Sequence, residues 1–373
     1  MNVLKKLKIL FPLIIMLVIS LLSIYSAKIY TNSELGNIVL KQFIWYIVGF
    51  IFIFIIFKVK NNYIFKHSKL LYYIGIISLA FLLIFGTPIN GSKCWIVIPG
   101  IGSIQPSEFM KLFLILYLAT LINNFRNKYK NPTMLEEFRF LINSLFVVLL
   151  PSVLTFLQPD TGAVLIYLVI YICMLFFSGI RFRWFGIGLL LIIITGSILL
   201  LLYHFNEQLF INIFGSNIYY RINRIFSWQN GSSLQLNNAI VAIGSGGLFG
   251  NGFNNVPLYF PEASTDFIFA VYASCFGLFG VIILLLTIIY FDYCIISLNR
   301  KKTININKYV LGGIIGMILY QQIQNIGMNV GLLPITGITL PFISYGGSSL
   351  ISYMVIIGII INIYFEKERY YKY

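Results

Sequence analysis

The chain has 373 residues, of which 59% are hydrophobic and only 10% charged, and its formal net charge is +15. A soluble globular domain carries about a quarter charged residues, so a water-soluble fold is excluded and lipid must solvate most of the surface. The basic surplus would suggest nucleic acid in a soluble protein, but its placement along this chain follows membrane side, and nucleic-acid binding is set aside.

About 20 apolar residues in helix span the ~30 Å hydrocarbon core of a bilayer. Runs of that kind predict ten helices, at 9–27, 38–57, 70–86, 107–122, 139–157, 161–178, 184–203, 267–290, 309–330 and 347–364. The first follows Lys5, Lys6 and Lys8, as a secretory signal would, but its apolar run is longer than a signal's and nine more follow. It reads as a retained anchor. With a cytoplasmic N-terminus, 20 of the 26 basic residues fall inside, among them Lys58, Lys60, Arg126, Lys128, Arg181, Arg183, Lys301 and Lys302. Lys28, Lys41, Lys93, Arg221 and Arg224 fall outside, and Lys111 falls within a helix. The positive-inside rule then places both termini in the cytoplasm and requires an even number of helices. The expected fold is an all-α polytopic membrane protein, one membrane domain over 1–373, with a long extracellular loop between helices seven and eight.

Three outer segments are candidates for surface chemistry. Residues 87–106 are rich in Gly and Pro, with Trp95 among apolar neighbours as if dipping into the interface. Residues 204–266 form the longest stretch outside the membrane; they begin amphipathically, with Arg221 and Arg224 beside aromatics, as a membrane-surface helix would. The later GSGGLFGNG (244–252) lacks the Gly-Lys-Ser/Thr of a phosphate loop and does not fit GxGxxG. Residues 331–346 are uncharged and too Pro-rich for a continuous helix. Between helices five and six lies only Gln158-Pro159-Asp160, with Asp160 placed to cap helix six. Four cysteines without a CxxC, and two histidines (His67 and His204) on opposite sides of the membrane, indicate neither a disulfide framework nor a zinc site.

Charges inside a membrane mark functional candidates because hydrocarbon solvates them poorly. Glu108 and Lys111 share one face of helix four just after Pro106; they either neutralise each other at a helix end or line an outer cavity. Glu262 and Asp266 close the long loop in PEASTDFIFAV, where Asp266 either caps helix eight or serves chemistry. Gln321, Gln322, Gln324, Asn325 and Asn329, followed by Ser344, Tyr345, Ser348 and Ser349, form a polar run that ties helices together or lines a groove for a polar headgroup. Gly312 and Gly316 read as packing.

Five of these stretches also occur together, in order, in one family. Gly91 to Trp95 with QPSEFMKL (105–112), LQPDTG (157–162), AIGSGGLFGNG (242–252), PEASTDFIFAV (261–271) and NIGMNVGLLPITGITLPFISYGGSSL (325–350) resemble the SEDS proteins of shape, elongation, division and sporulation, which include RodA and FtsW. The resemblance implies a peptidoglycan glycosyltransferase of the inverting type, polymerising lipid II at the outer face of the bacterial cytoplasmic membrane with a class B penicillin-binding protein as partner. It implies Asp266 as catalytic residue, with Glu108, Lys111, Lys93, Trp95, Gln105, Glu262, Ser344 and Ser348 toward substrate, and it leaves room for a divalent cation such as Mg2+. Alternatives are a weakened scaffold for the penicillin-binding protein or a lipid-linked precursor flippase. The chain departs from the family pattern at Cys94, where an arginine is usual, at Ser264, where many relatives have histidine, and at Ser274-Cys275, where a pair of glutamates is usual.

Overall fold

The computed structural model describes residues 8–27, 38–86, 92–98, 102–216, 219, 233–299 and 305–370. Among them, ten helices have 18 residues or more: α1 (Leu10–Ala27), α2 (Ile38–Val59), α4 (Ser68–Phe85), α5 (Pro106–Lys128), α6 (Met134–Leu157), α7 (Thr161–Ser178), α8 (Phe182–Phe205), α11 (Ile268–Asn299), α12 (Asn305–Asn329) and α13 (Gly347–Tyr370). Three short helices, α3 (Asn61–Lys66), α9 (Glu207–Phe214) and α10 (Leu234–Ser245), stand between them. A hairpin of β1 (Ile96–Ile98) and β2 (Gly102–Ile104), pairing Ile96 with Ile104, precedes α5.

Nine of the long helices are apolar enough to cross a membrane on composition alone. α12 is the tenth; its Gln321, Gln322, Gln324, Asn325 and Asn329 lower its hydropathy, but all five are buried, so they face protein rather than lipid. α12 packs along α7, α13 along α2, and α1 along α11. The Gly312–Gly316 pair brings α12 onto α7, since a Cβ at either position would overlap Phe177 or Cys173. α8 contributes no buried residue and meets its surroundings with apolar side chains on all faces.

Several helices run past their expected ends, α5 to Lys128 rather than 122 and α13 to Tyr370 rather than 364, and two further differences have particular physical reasons. α6 starts at Met134 rather than 139, because Thr133 caps it and Glu136 closes the capping box; its charged first turn carries no hydropathy signal. The helix expected over 267–290 runs to Asn299 and breaks at Gly277, which has φ 61° and ψ −162°. There the glycine-rich stretch acts as a splint. Asn251 and Gly252 N–H donate to the Ser274 and Cys275 carbonyls at 2.9 and 3.1 Å, while Leu278 and Phe279 N–H donate to Gly247 and Leu248 carbonyls at 2.9 and 3.1 Å. Two carbonyls and two amides that the break would orphan are thereby paired. Above the break, Ile268 to Phe276 joins α10 and the following loop around a second, smaller core that includes Leu236, Ala239, Val256, Phe260 and Phe267.

Candidate active site

Four stretches far apart in the chain meet at one end of the bundle around a cavity of about 360 Å³. The segment before α5 supplies Ser92, Cys94, Trp95 and Gln105; α5 itself supplies Glu108; the α6–α7 turn supplies Asp160; the turn before α11 supplies Glu262 and Asp266; the loop before α13 supplies Thr336 and Tyr345, and the first turn of α13 supplies Ser348.

The local sequence sets each position. α5 begins at Pro106, whose missing N–H has no partner to lose in the first turn. Gln105 stands at the N-cap position, its N–H held by Ser348 Oγ at 3.0 Å and its side-chain Nε2 by Asp160 Oδ2 at 2.9 Å. Asp160 Oδ1 caps α7 through the Ala163 N–H at 3.0 Å, and Oδ2 also accepts from Ser107 Oγ at 3.0 Å. The expected cap is therefore present, and the same carboxylate also braces the start of α5. Lys111 Nζ meets Glu108 Oε2 at 2.6 Å and lies 5.5 Å from the centre of the Tyr353 ring. Lys111 is fully buried behind the wall, so of this pair only Glu108 lines the cavity.

Asp266 follows a tight turn in which Glu262 takes a left-handed φ of 56° and accepts the Thr265 and Phe267 amides on its carbonyl. The Asp266 carbonyl is gripped by Asn325 and Asn329 Nδ2 at 2.8 and 2.9 Å. Beside it, the Ala270 N–H in the first turn of α11 donates to Asn329 Oδ1 at 3.1 Å. Asp266 is half-buried and borders the cavity, with Oδ2 facing the Gly337 backbone. Of the α12 amides, Gln324, Asn325 and Asn329 tie the helix to loop carbonyls, while Gln321 and Gln322 reach Tyr353 and Asp292 on other helices as the helix-tying reading expected.

Of the residues proposed from sequence, Asp266, Glu108, Trp95, Gln105, Glu262 and Ser348 line the cavity. Ser344 does not: its hydroxyl bonds Thr265 O at 2.6 Å and accepts the Leu340 N–H at 2.8 Å, which fastens the loop before α13 to the residue preceding Asp266. Lys93 is half-buried beside the lining rather than in it, and Arg221 and Arg224 lie outside the described residues. Sequence reasoning missed Ser20, Gln42 and Tyr46. Ser20 Oγ donates to Ile343 O at 2.7 Å, Tyr46 Oη to Phe342 O, and Gln42 spans Ser344 O and Gly346 N–H at 3.3 Å each. The only signal for them is a polar side chain inside an otherwise apolar span.

The departures separate in space. Cys94 borders the cavity, its thiol donating to Gln158 O at 2.9 Å. Ser274 and Cys275 do not; Ser274 accepts from Asn251 Nδ2 at 3.1 Å and Cys275 packs in the second core. Among the described residues no three His, Cys, Asp or Glu side chains come together in a metal-holding group.

The family model of the FtsW/RodA/SpoVE cell cycle proteins matches residues 7–369. A probable peptidoglycan glycosyltransferase FtsW from Buchnera aphidicola is 32% identical over 339 residues, covering 87% of this chain and 84% of the relative. Stage V sporulation protein E from Bacillus subtilis is 34% identical over 377 residues, 96% of each. A chain from a peptidoglycan synthase complex described as coordinating polymerization and crosslinking superposes with a TM-score of 0.76 at 23% identity, covering 96% of this chain and 97% of that one, which shows the shared fold. The chain belongs to the FtsW/RodA/SpoVE family of cell cycle proteins.

Proposed function

We propose that this protein is a peptidoglycan glycosyltransferase of the bacterial cytoplasmic membrane, joining lipid-linked disaccharides with inversion, and that Asp266 is its general base. The placement of Asp266 on the wall of a polar cavity at one end of the bundle supports this reading most directly. In the reaction a sugar 4-hydroxyl attacks the anomeric carbon of a second lipid II. The new bond joins that oxygen to the anomeric carbon, the bond from the same carbon to the polyprenyl pyrophosphate breaks, and the hydroxyl proton passes to the carboxylate. A positioned base contributes typically 10²- to 10⁴-fold. The side-chain amides of Asn325 and Asn329 hold the Asp266 main-chain carbonyl in place, which is what such positioning requires.

The departing pyrophosphate needs cations or amide donors. Lys93, on the segment that lines the cavity, and the loop arginines Arg221 and Arg224 are the candidates of this chain. Mg2+ characteristically takes one or two carboxylates and shares substrate phosphates; Glu262, exposed at the rim, is a suitable ligand. A class B penicillin-binding protein is the partner expected to crosslink the product. A pure scaffold role is less well supported, because Ser274 and Cys275 lie away from the cavity.

The test is polymerisation of lipid II by the purified chain, with and without such a partner. Asp266→Ala is expected to fold normally and to lose at least about a hundredfold in rate; an unchanged rate would exclude Asp266 as base.

A further inference from the structure

The described lining of the cavity carries four carboxyl groups, on Glu108, Asp160, Glu262 and Asp266, and no lysine or arginine. Glu108 is engaged by Lys111 from behind the wall, Asp160 by Gln105, Ser107 and the Ala163 amide, and Glu262 by the Thr265 hydroxyl at 2.7 Å. A pyrophosphate entering this space would meet like charges in surroundings less polar than water, where repulsion is strengthened. An uncharged sugar meets no such barrier. The two reacting ends differ in just this respect: the anomeric carbon of the donor carries the pyrophosphate, whereas the attacking hydroxyl sits on a neutral ring. At about 360 Å³ the cavity lies near the small end of ligand pockets, enough for a sugar ring and too little for a whole lipid-linked disaccharide peptide.

A buried amide in the same lining points to what is bound. Gln321 of α12 is only 1% exposed. Its Nε2 donates to Tyr353 Oη at 2.7 Å, which sets the orientation of the amide and leaves Oε1 buried with no protein partner. Thr336 Oγ1, also in the lining, is buried and unpaired. A buried polar atom without a partner costs about as much as a lost hydrogen bond, and the space that both residues border is the cavity.

On the glycosyltransferase reading given above, we infer that this cavity is the acceptor-sugar subsite and that Gln321 determines its specificity. Gln321 Oε1 accepts a hydrogen bond from a hydroxyl or acetamido N–H of the uncharged ring, Thr336 supplies a second contact, and the ring's 4-hydroxyl is presented to Asp266. The donor pyrophosphate stays outside. A site built to bond such a group rejects rings that lack it.

The experiment uses the full chain in detergent with two substrates, lipid II varied as acceptor and a lipid II blocked at its terminal 4-hydroxyl, which can act only as donor. Gln321→Met, matched in size, is expected to raise the acceptor KM about tenfold, the effect of one lost hydrogen bond. The donor KM should stay within about twofold, and kcat within about threefold. Gln322→Met, on the same helix but tied to Asp292 Oδ1 at 3.1 Å and outside the lining, is the control and should leave both KM values within about twofold. If Gln321→Met does not fold, Thr336→Val carries the same split between acceptor and donor. Equal shifts for the two substrates, or a Gln322→Met variant as impaired as Gln321→Met, would overturn the assignment while leaving the glycosyltransferase reading intact. Absence of polymer from the unsubstituted chain would overturn both.

Discussion

Cys94 occupies a position where the family usually places a guanidinium, and its surroundings make it inert rather than basic. Burial first, and the charge of neighbouring Asp160 second, push its thiol up to about 12. The thiolate is the reactive form, so at pH 8 the folded protein should alkylate at Cys94 at least about a hundredfold more slowly than the denatured chain. Peptide mass spectrometry after iodoacetamide treatment measures this, and equal rates would mean that the thiol is not enclosed as described. Single residues were unevenly legible in the sequence. Glu108 and Asp266 stood out because a carboxylate beside an apolar run is costly without a purpose. Lys111 stood out for the same reason, yet it serves as the buried counter-charge, since at i,i+3 it points deeper into the bundle than Glu108. Gln42 and Tyr46 were not legible as site residues, because what they hold, the loop around Phe342 to Gly346, lies some three hundred residues away in sequence.

At the scale of elements, hydropathy found the spans, cut several of them short and missed one break. The segment Ile268 to Phe276 is as apolar as the helix that follows, so no composition window separates them; only Gly277, read together with the glycines of 244–252, marks the break. The glycine-rich segment and the broken helix approach each other there without room for side chains. A Cβ on Gly250, which has φ 85°, would overlap the Cys275 carbonyl, and one on Gly277 would overlap Gly250 N. Gly250→Ala is accordingly expected to destabilise the protein by about 3 kcal/mol or more, combining a strained φ with a backbone clash. A control is Gly244→Ala, where nothing stands within 4 Å of the added atom. Thermal unfolding in detergent, followed by size-exclusion chromatography, separates the two; similar midpoints would show that the break tolerates a side chain.

For the whole molecule, ten helices were legible from apolar length and from the count of basic residues on alternate sides, two signals independent of each other. The helix ends bearing Lys58, Arg126, Lys128 and Arg181 lie at the end of the bundle away from the cavity, because α2 and α5 begin beside it and run away from it. Charge then predicts that the cavity opens outside the cell. In intact cells, a membrane-impermeant maleimide should label a cysteine introduced at exposed Asn255 and spare one at exposed Asn131; the reverse pattern would invert the topology. The meeting of distant stretches at the cavity was not legible in this way, since it depends on which helices neighbour which. The splint at Gly277 bears on how the protein comes apart. Amides of the outer segment, at 251 and 252, and amides of the membrane helix, at 278 and 279, are closed by each other's carbonyls, so neither can open while the other stays shut. In cooperative terms the two belong to one unfolding unit, and hydrogen exchange at those outer amides reports on the opening of the membrane bundle itself.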